Sequence, residues 1–137
     1  MLERPKLLYP AVLVLLGLGT PCVMAQESVT FSAEQVEAGK ALYQETCQIC
    51  HGSSLANGQF GTPLRGNYFR NNWKGKSAGE LMQFVYEKMP PDNLMSLAPE
   101  QIAAAVSYIL SRNDVMPADT ALTGDHQQAM HLMLPWQ

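Results

Sequence analysis

The feature that most constrains this chain is the pentapeptide Cys47-Gln-Ile-Cys50-His51. Two cysteines separated by two residues and followed at once by a histidine form the attachment motif of covalent c-type haem. The spacing puts the two thiols about one helical turn apart, as the two vinyl groups on one porphyrin edge require, and the adjacent histidine can then bind the iron. We therefore expect one haem c with its iron, attached through Cys47 and Cys50 and ligated by His51.

Two other kinds of site use a similar pair of cysteines. A structural zinc site needs four ligands, usually in two separated pairs, and the sequence contains no second Cys-x-x-Cys. A thioredoxin-like redox pair stands at the start of a helix that follows a strand, whereas the segment before Cys47 predicts helix. Covalent haem is therefore the better prediction for this motif.

Residues 1–25 have the pattern of a secretory signal peptide. Arg4 and Lys6 precede an apolar run over residues 7–19, and the segment that ends at Ala25 has the small or modest side chains that a signal peptidase reads. We predict cleavage after Ala25 and export to an oxidising compartment, which in a bacterium is the periplasm.

The remaining chain, residues 26–137, is long enough for one small domain. The whole chain has a formal charge of −3 and the charged side chains of the leader sum to +1, so the remainder carries −4. This balance argues against nucleic-acid binding and against a basic membrane-surface patch. An uncleaved membrane anchor is the alternative to cleavage, but the apolar run is short for a full span and contains Pro10. We expect no membrane insertion once the leader is removed.

Two capping boxes mark the starts of helices. Ser32 with Gln35, and Ser77 with Glu80, are pairs in which each side chain can bond the backbone N–H of the other residue. We predict a first helix from Ser32 to the cysteine motif and a second helix that stops before Pro90.

A third helix is predicted from about Pro99 to Asn113. Its apolar stripe consists of Ile102, Val106, Ile109 and Leu110. Residues 52–76 are rich in Gly and Asn and are predicted as loop, and the apolar end of the tail over residues 114–137 predicts a short terminal helix. The prediction is therefore an all-α domain with three main helices and long loops.

The second axial ligand of the iron must come from another part of the chain. Met89 stands where the second helix stops at a Pro-Pro pair, and this break frees the chain to pass over a haem face. Met95 in the same loop and Met116 after the third helix are rivals, although most methionines pack in cores. His126 and His131 are expected to be exposed residues of the tail.

The sequence resembles the class I c-type cytochromes over nearly all of residues 32–134. The segments that carry the resemblance are Pro63-Leu64-Arg65-Gly66-Asn67-Tyr68-Phe69, Trp73-Lys74-Gly75-Lys76, Lys88-Met89-Pro90-Pro91 and Ser107-Tyr108-Ile109-Leu110-Ser111-Arg112-Asn113. They are similar to a subgroup of small monohaem cytochromes that serve periplasmic dehydrogenases, including quinoprotein (PQQ) alcohol dehydrogenases.

The resemblance implies a cytochrome c fold wrapped around one haem, with His51 and Met89 as axial ligands. It implies that the carbonyl of Pro63 accepts a hydrogen bond from the other ring nitrogen of His51 and fixes the ring. Trp73 could donate its indole N–H to a haem propionate, with Arg65 or Arg70 as a cationic partner. A tryptophan that only packs on the haem edge is the alternative.

Gly39 lies inside the first predicted helix, where glycine costs about 1 kcal/mol relative to alanine. A residue so unfavourable for helix formation indicates a point at which another helix crosses closely. The resemblance implies that this crossing joins the first and last helices, where Gly39 and Tyr43 meet Tyr108.

The expected function is electron transfer by a protein that is not itself an enzyme, because no acid–base pair or nucleophile–base constellation stands out. A periplasmic dehydrogenase would be the donor, and an oxidase or another cytochrome the acceptor. One alternative is a tightly bound subunit of a dehydrogenase complex, with the apolar tail Met130–Trp136 as its partner surface. The other is a haem sensor or enzyme with an open iron site.

Overall fold

The computed structural model describes Met1 and residues 26–137, so the predicted signal peptide and its cleavage site lie outside the described residues except for Met1. The elements in chain order are β1 (Glu27–Ser28), α1 (Ala33–Leu42), a π-helical turn (Tyr43–Cys47), α2 (Gln48–His51), α3 (Asn67–Trp73), α4 (Ala78–Lys88), α5 (Pro99–Ser111), a 3-10 turn (Gln128–His131) and β2 (Leu132–Met133). The described chain is thus mostly helical, which confirms the predicted all-α class. Within it, no helix combines the length and apolar character needed to cross a membrane.

Both predicted capping boxes are present. The Ser32 hydroxyl accepts from the Gln35 N–H at 3.3 Å, and the Gln35 side chain accepts in return from the Ser32 N–H at 3.2 Å. Ser77 and Glu80 make the equivalent pair of bonds at 3.1 and 2.8 Å. These bonds satisfy N–H groups that the first turn of a helix leaves without partners, so the sequence defines where α1 and α4 begin.

Helices α1 and α5 cross closely at Gly39, as predicted. Gly39 is buried, and a Cβ atom on it would collide with the backbone carbonyl of Ala104 in α5. One turn later in each helix, the rings of Tyr43 and Tyr108 pack at a centroid distance of 5.4 Å. Only glycine permits so close an approach of the two helices. The crossing in turn holds the end of the α1 segment, and the cysteine motif that follows it, against the core.

The prediction that residues 52–76 are all loop is wrong over Asn67–Trp73, which form α3. Three asparagines, which have poor helix propensity, and a glycine N-cap without a side-chain acceptor conceal this helix in the sequence. Packing stabilises it instead, because Phe69 is buried and its ring lies 5.6 Å from that of Trp136. Tertiary contacts outweigh local propensity here.

The predicted terminal helix is reduced to the single 3-10 turn, and the next two residues are extended. β2 pairs in parallel with β1, with Glu27 opposite Leu132 and Ser28 opposite Met133. The Leu134 N–H then donates to the carbonyl of Lys76 at 3.0 Å, and the Leu134 side chain is fully buried. The tail is therefore part of the core of this domain, which argues against the predicted use of Met130–Trp136 as a free partner surface.

Candidate functional site

The cysteine motif lies where the long first helical segment changes its hydrogen-bonding pattern. Tyr43–Cys47 form a π-helical turn, in which the Gln48 N–H donates to the carbonyl of Tyr43, and α2 then continues to His51. Cys47 and Cys50 are therefore both in helical backbone, one turn apart, as the sequence predicts. Both are free, half-buried thiols. Burial raises the pKa of Cys47 to about 11, so its thiol is protonated at neutral pH.

His51 is buried, and the backbone that follows it orients its ring. Its Nδ1 lies 2.8 Å from the carbonyl oxygen of Thr62. A carbonyl can only accept, so this contact requires the proton on Nδ1, and in the neutral imidazole the lone pair of Nε2 is then free for a metal. The Gly61 N–H donates to the carbonyl of Cys50 at 2.9 Å, which holds the loop against α2.

The prediction that Pro63 supplies this carbonyl is wrong by one residue. The loop passes the imidazole at Gly61, where a Cβ atom would stand 2.5 Å from His51 Nδ1, and the next carbonyl along the chain is that of Thr62. Pro63 follows it, half-buried. A backbone carbonyl therefore accepts from His51, as the resemblance implied, but the carbonyl belongs to Thr62, whose side chain takes no part in the bond.

Tyr43, which precedes the cysteine motif, is hydrogen-bonded to the residue that follows the motif. Its hydroxyl donates to the carbonyl of Gly52, the residue after His51, at 2.6 Å, and only 1% of the side chain is exposed. Burial first, and the neighbouring Cys47 and Tyr108 next, raise the pKa of this phenol above its usual value. The resemblance implied that Tyr43 lies at the helix crossing, but nothing in the sequence predicted its bond to the Gly52 carbonyl, which spans nine residues.

The methionines that could supply a second axial ligand differ in their surroundings. Met89 is half-buried and extended (φ −130°, ψ 143°) at the end of α4, with its N–H still donating to the carbonyl of Val85. Met95 is 57% exposed with a left-handed φ of 58°, and Met116 is 81% exposed. Met82 is buried in the core. Among these methionines, Met89 is thus the one that lies at the end of α4 and is half-buried.

The two tail histidines have other neighbours. The prediction that His126 is exposed is wrong, because the residue is half-buried and its ring stacks on Tyr86 at a centroid distance of 6.3 Å. His131 is exposed, as predicted, and its Nε2 lies 3.9 Å from a carboxylate oxygen of Glu27. Each of these contacts accounts for the position of its histidine without a role in metal binding.

Trp73 is half-buried within a group of aromatic rings. Its ring meets Phe84 edge-on at 5.7 Å and lies 6.2 Å from Phe69, and the Lys76 ammonium stands 5.2 Å from its centroid. Lys76 is three residues from Trp73 and reaches back over the ring, a contact that was not predicted from the sequence. Arg70 is instead paired with Asp114, at 3.1 Å.

Asn113 is a buried residue whose role the sequence did not reveal. Its side-chain oxygen accepts from the Gly66 N–H at 3.0 Å, and its amide nitrogen donates to the carbonyl of Leu64 at 2.8 Å. These bonds tie the loop after His51 to the end of α5. An asparagine after a helix is usually a simple terminator, so only the folded structure could reveal this contact.

The donor set fits a covalent haem better than a bare metal ion. In the part of the chain that the structure describes, no three side chains of His, Cys, Asp or Glu gather to form a metal cage. Two thiols one turn apart and an imidazole with a free Nε2 are the groups that haem c requires.

A small all-α domain with a Cys-x-x-Cys-His motif in helical backbone defines a c-type cytochrome. The chain belongs to the family described as cytochrome c oxidase, cbb3-type, subunit III, whose model matches residues 34–109. Membership implies covalently bound haem c with its iron, and Cys47 and Cys50 lie within the matched region.

Comparison with other proteins adds information about the fold. No curated protein matches this sequence significantly. A chain in the crystal structure of the sulfane dehydrogenase SoxCD from Paracoccus pantotrophus is similar, with a TM-score of 0.52 and 21% identity over 88% of this chain and 68% of that chain. At this identity the likeness shows a shared fold.

Proposed function

We propose that this protein is a single-haem electron carrier with axial ligands His51 and Met89. A haem held by these residues would supply the redox chemistry, a one-electron change between Fe(III) and Fe(II). The observation that carries the proposal is the state of His51, which is buried and has Nδ1 committed to the Thr62 carbonyl. A hydrogen bond of this kind fixes the tautomer and the orientation of a metal-binding histidine.

The two cysteines would hold the haem by thioether bonds. Their half-buried positions one turn apart allow both to reach one edge of a planar group while their backbone remains hydrogen-bonded. Covalent attachment prevents loss of the cofactor outside the cell. It also adds stability to a domain of this size, whose core is small.

Met89 is proposed as the second axial ligand. A thioether raises the haem potential relative to a second histidine and leaves no open position for a substrate. Support comes from its half-buried site at the end of α4, in contrast to the exposed side chains of Met95 and Met116.

Trp73 is proposed to lie at the haem edge, with its indole N–H available to a propionate. Lys76, whose ammonium lies over the Trp73 ring, and Arg65, which is exposed, are proposed as cationic partners of that propionate. Arg70 is excluded from our proposal because its guanidinium already pairs with Asp114.

We further propose a periplasmic location, with a dehydrogenase as electron donor and an oxidase or another cytochrome as acceptor. The signal-peptide pattern of residues 1–25 supports export. The similar solved chain is from a sulfane dehydrogenase, and the family is named for an oxidase subunit, so both partner classes have support. The proposed carrier catalyses no reaction of its own.

The experiment that tests the carrier is an absorption spectrum of the exported protein in the oxidised state, the reduced state, and the reduced state with carbon monoxide. We expect a reduced c-type spectrum, a methionine–iron band in the oxidised state, and no change with carbon monoxide, because both axial positions are filled. Ready binding of carbon monoxide to the native protein would instead favour a haem sensor or enzyme with an open iron site.

Replacement of Met89 by alanine tests the ligand itself. The variant should lose the methionine–iron band, bind carbon monoxide when reduced, and have a lower potential. Met116→Ala is the matched control, because the side chain of Met116 is 81% exposed, and its spectrum should equal that of the wild type. Survival of the band in Met89→Ala would assign the ligand elsewhere, with Met95→Ala as the next variant.

A fixed subunit of a dehydrogenase complex is the second candidate, favoured by the likeness to a chain of SoxCD. It predicts that the protein co-purifies with one dehydrogenase and stays bound in high salt. A free shuttle separates from its donor under the same conditions, because contacts that transfer electrons are small and transient.

A further inference from the structure

The segment of the chain that contains the cysteine motif has no carboxylate, ammonium or guanidinium side chain. From Thr46 to Thr62, the chain contains no Asp, Glu, Lys or Arg. Glu45 and Arg65 are the nearest charged residues in the sequence on either side. The segment also holds both cysteines and His51, so it contributes no charged side chain to the surface beside the haem of the proposed carrier.

Two large apolar side chains project from this segment. Ile49 and Phe60 are each 82% exposed, the highest values among the large apolar side chains from residue 26 onward. Their backbones lie close together at Cys50, because the Gly61 N–H donates to the Cys50 carbonyl at 2.9 Å. Each of the two residues is thus next in sequence to one partner of that bond. We call this pair the Ile49–Phe60 rim.

We propose that the Ile49–Phe60 rim docks a redox protein that presents an uncharged, apolar surface around its own redox centre. This inference rests on the proposed electron-carrier function. A charged partner face would lose its hydration against the rim and find no opposite charge there, which costs free energy. Apolar contact needs no pairing of charges, and a small apolar patch suits the small, transient interfaces of electron transfer.

A second copy of the protein serves as the probe, because it presents the same uncharged apolar surface. Electron self-exchange between reduced and oxidised copies is measured from the exchange broadening of haem NMR signals. Each copy carries a formal charge of −4 without the leader, but this long-range repulsion is screened above about 0.1 M salt, where the Debye length is about 10 Å. The wild-type rate should therefore change less than about twofold between 0.1 and 0.5 M salt.

Loss of the apolar side chains should slow the exchange. We expect the double variant Ile49→Gln with Phe60→Gln to exchange about tenfold more slowly, because its contact no longer buries apolar surface. Met116→Gln is the control, since its side chain is 81% exposed but lies outside the rim, and it should keep the wild-type rate. The spectrum of each variant, including the methionine–iron band, should be that of the wild type, because neither side chain of the rim is proposed to bind iron.

Charge placed on the rim gives a sharper test. Ile49→Glu brings like charges together when two copies meet, so exchange should slow about tenfold and recover as salt is added. Ile49→Lys should behave in the same way. When reduced Ile49→Glu is mixed with oxidised Ile49→Lys, the cross-exchange should be faster than self-exchange in either variant, because the charges are now opposite.

The outcomes separate this inference from the function on which it rests. Rates that are equal in the wild type, the double variant and the charge variants would overturn docking at the rim, while a reversible potential in the same samples leaves the carrier standing. Absence of a reversible couple would overturn both. A stable wild-type dimer that dissociates in the double variant would also overturn the proposal, since it would make the rim a permanent interface.

Discussion

At the scale of single residues, the imidazole of His51 is oriented by backbone atoms rather than by another side chain. The Thr62 carbonyl accepts from Nδ1, and Gly61 lets the loop pass the ring where any Cβ would collide. The orientation should therefore tolerate substitution at Thr62, which contributes only its carbonyl, and be sensitive at Gly61.

Gly61→Ala tests this asymmetry. The added methyl group must displace the loop or the ring, at a cost of about 1–3 kcal/mol in the free energy of unfolding. A weakened Nδ1 bond makes the imidazole a poorer donor to iron, so the potential should rise, by up to about 60 mV for a tenfold change in the one-electron equilibrium. Denaturant unfolding and a redox titration measure the two effects. Thr62→Ala is the control, and equal effects from the two variants would refute the argument.

Tyr43 gives a prediction for pH dependence. Burial raises the pKa of its phenol in the folded protein, whereas the unfolded chain ionises near pH 10. Above that pH the folded state holds the proton and the unfolded state does not, so the stability contributed by this group is complete below about pH 10 and falls as pH rises further.

Tyr43→Phe measures this contribution. At pH 8 the variant should be about 1 kcal/mol less stable, because the bond to the Gly52 carbonyl is lost. From about pH 10 upward the difference should shrink, since phenylalanine has no proton to release. Denaturant titrations at pH 8, 9, 10 and 11 follow the difference. A gap between the two proteins that does not vary with pH would mean that the phenol titrates normally.

At the scale of elements, the contact between α1 and α5 positions the cysteine motif. Gly39 permits the approach, and the pair Tyr43 and Tyr108 extends it towards the π turn. A change at Gly39 therefore acts on the orientation of the motif from a distance, through the helix that leads into it.

Gly39→Ala should destabilise the protein although alanine is the better helix former. The gain in helix propensity is about 1 kcal/mol, while the collision with the Ala104 carbonyl forces the helices apart at a cost of about 1–3 kcal/mol or more. Lys40→Ala, at an exposed position of the same helix, is the control and should not destabilise. Thermal unfolding followed by circular dichroism compares them. A higher melting temperature for Gly39→Ala would show that the crossing has room to spare.

The sequence predicts those elements whose signals are local. The caps at Ser32 and Ser77 and the proline after Met89 act within a few residues, so α1 and α4 could be placed without the fold. The site follows the same rule, because the cysteine motif is read from five adjacent residues. What escaped prediction depends on distant contacts: α3 is stabilised by Phe69 against Trp136, and β2 exists only because β1 lies beside it.

At the scale of the whole molecule, the tail completes the core. Leu134 and Ala129 are fully buried, and α4 at Gly79 lies so close to the tail that a Cβ would meet the Met130 nitrogen at 2.7 Å. The Trp136 carbonyl accepts from the Gly75 N–H at 2.8 Å, next to the aromatic group around Trp73. The last residues thus support the same region that we propose to face the haem edge.

Leu134→Ala tests the contribution of the tail. Removal of a fully buried leucine should lower the free energy of unfolding by about 2–5 kcal/mol, because it removes apolar burial and leaves a cavity. Pro135→Ala, at the exposed neighbouring position, should change stability by less than about 0.5 kcal/mol. Chemical denaturation of both variants decides the matter. An unchanged free energy of unfolding in Leu134→Ala would mean that the tail does not contribute to the stability of the core.

The parallel pairing of β1 and β2 also determines whether the domain can be circularly permuted. Glu27 and Ser28 lie beside Leu132 and Met133, so the two ends of the folded unit are neighbours in space. Domains whose ends meet in this way tolerate circular permutation. A linker of a few residues could join residue 137 to residue 26, with new ends opened in the exposed segment 118–121. In such a permutant the 3-10 turn and β2 would precede β1 and α1 along the chain, while the order of α1 to α5 and every neighbour of the cysteine motif stayed as they are.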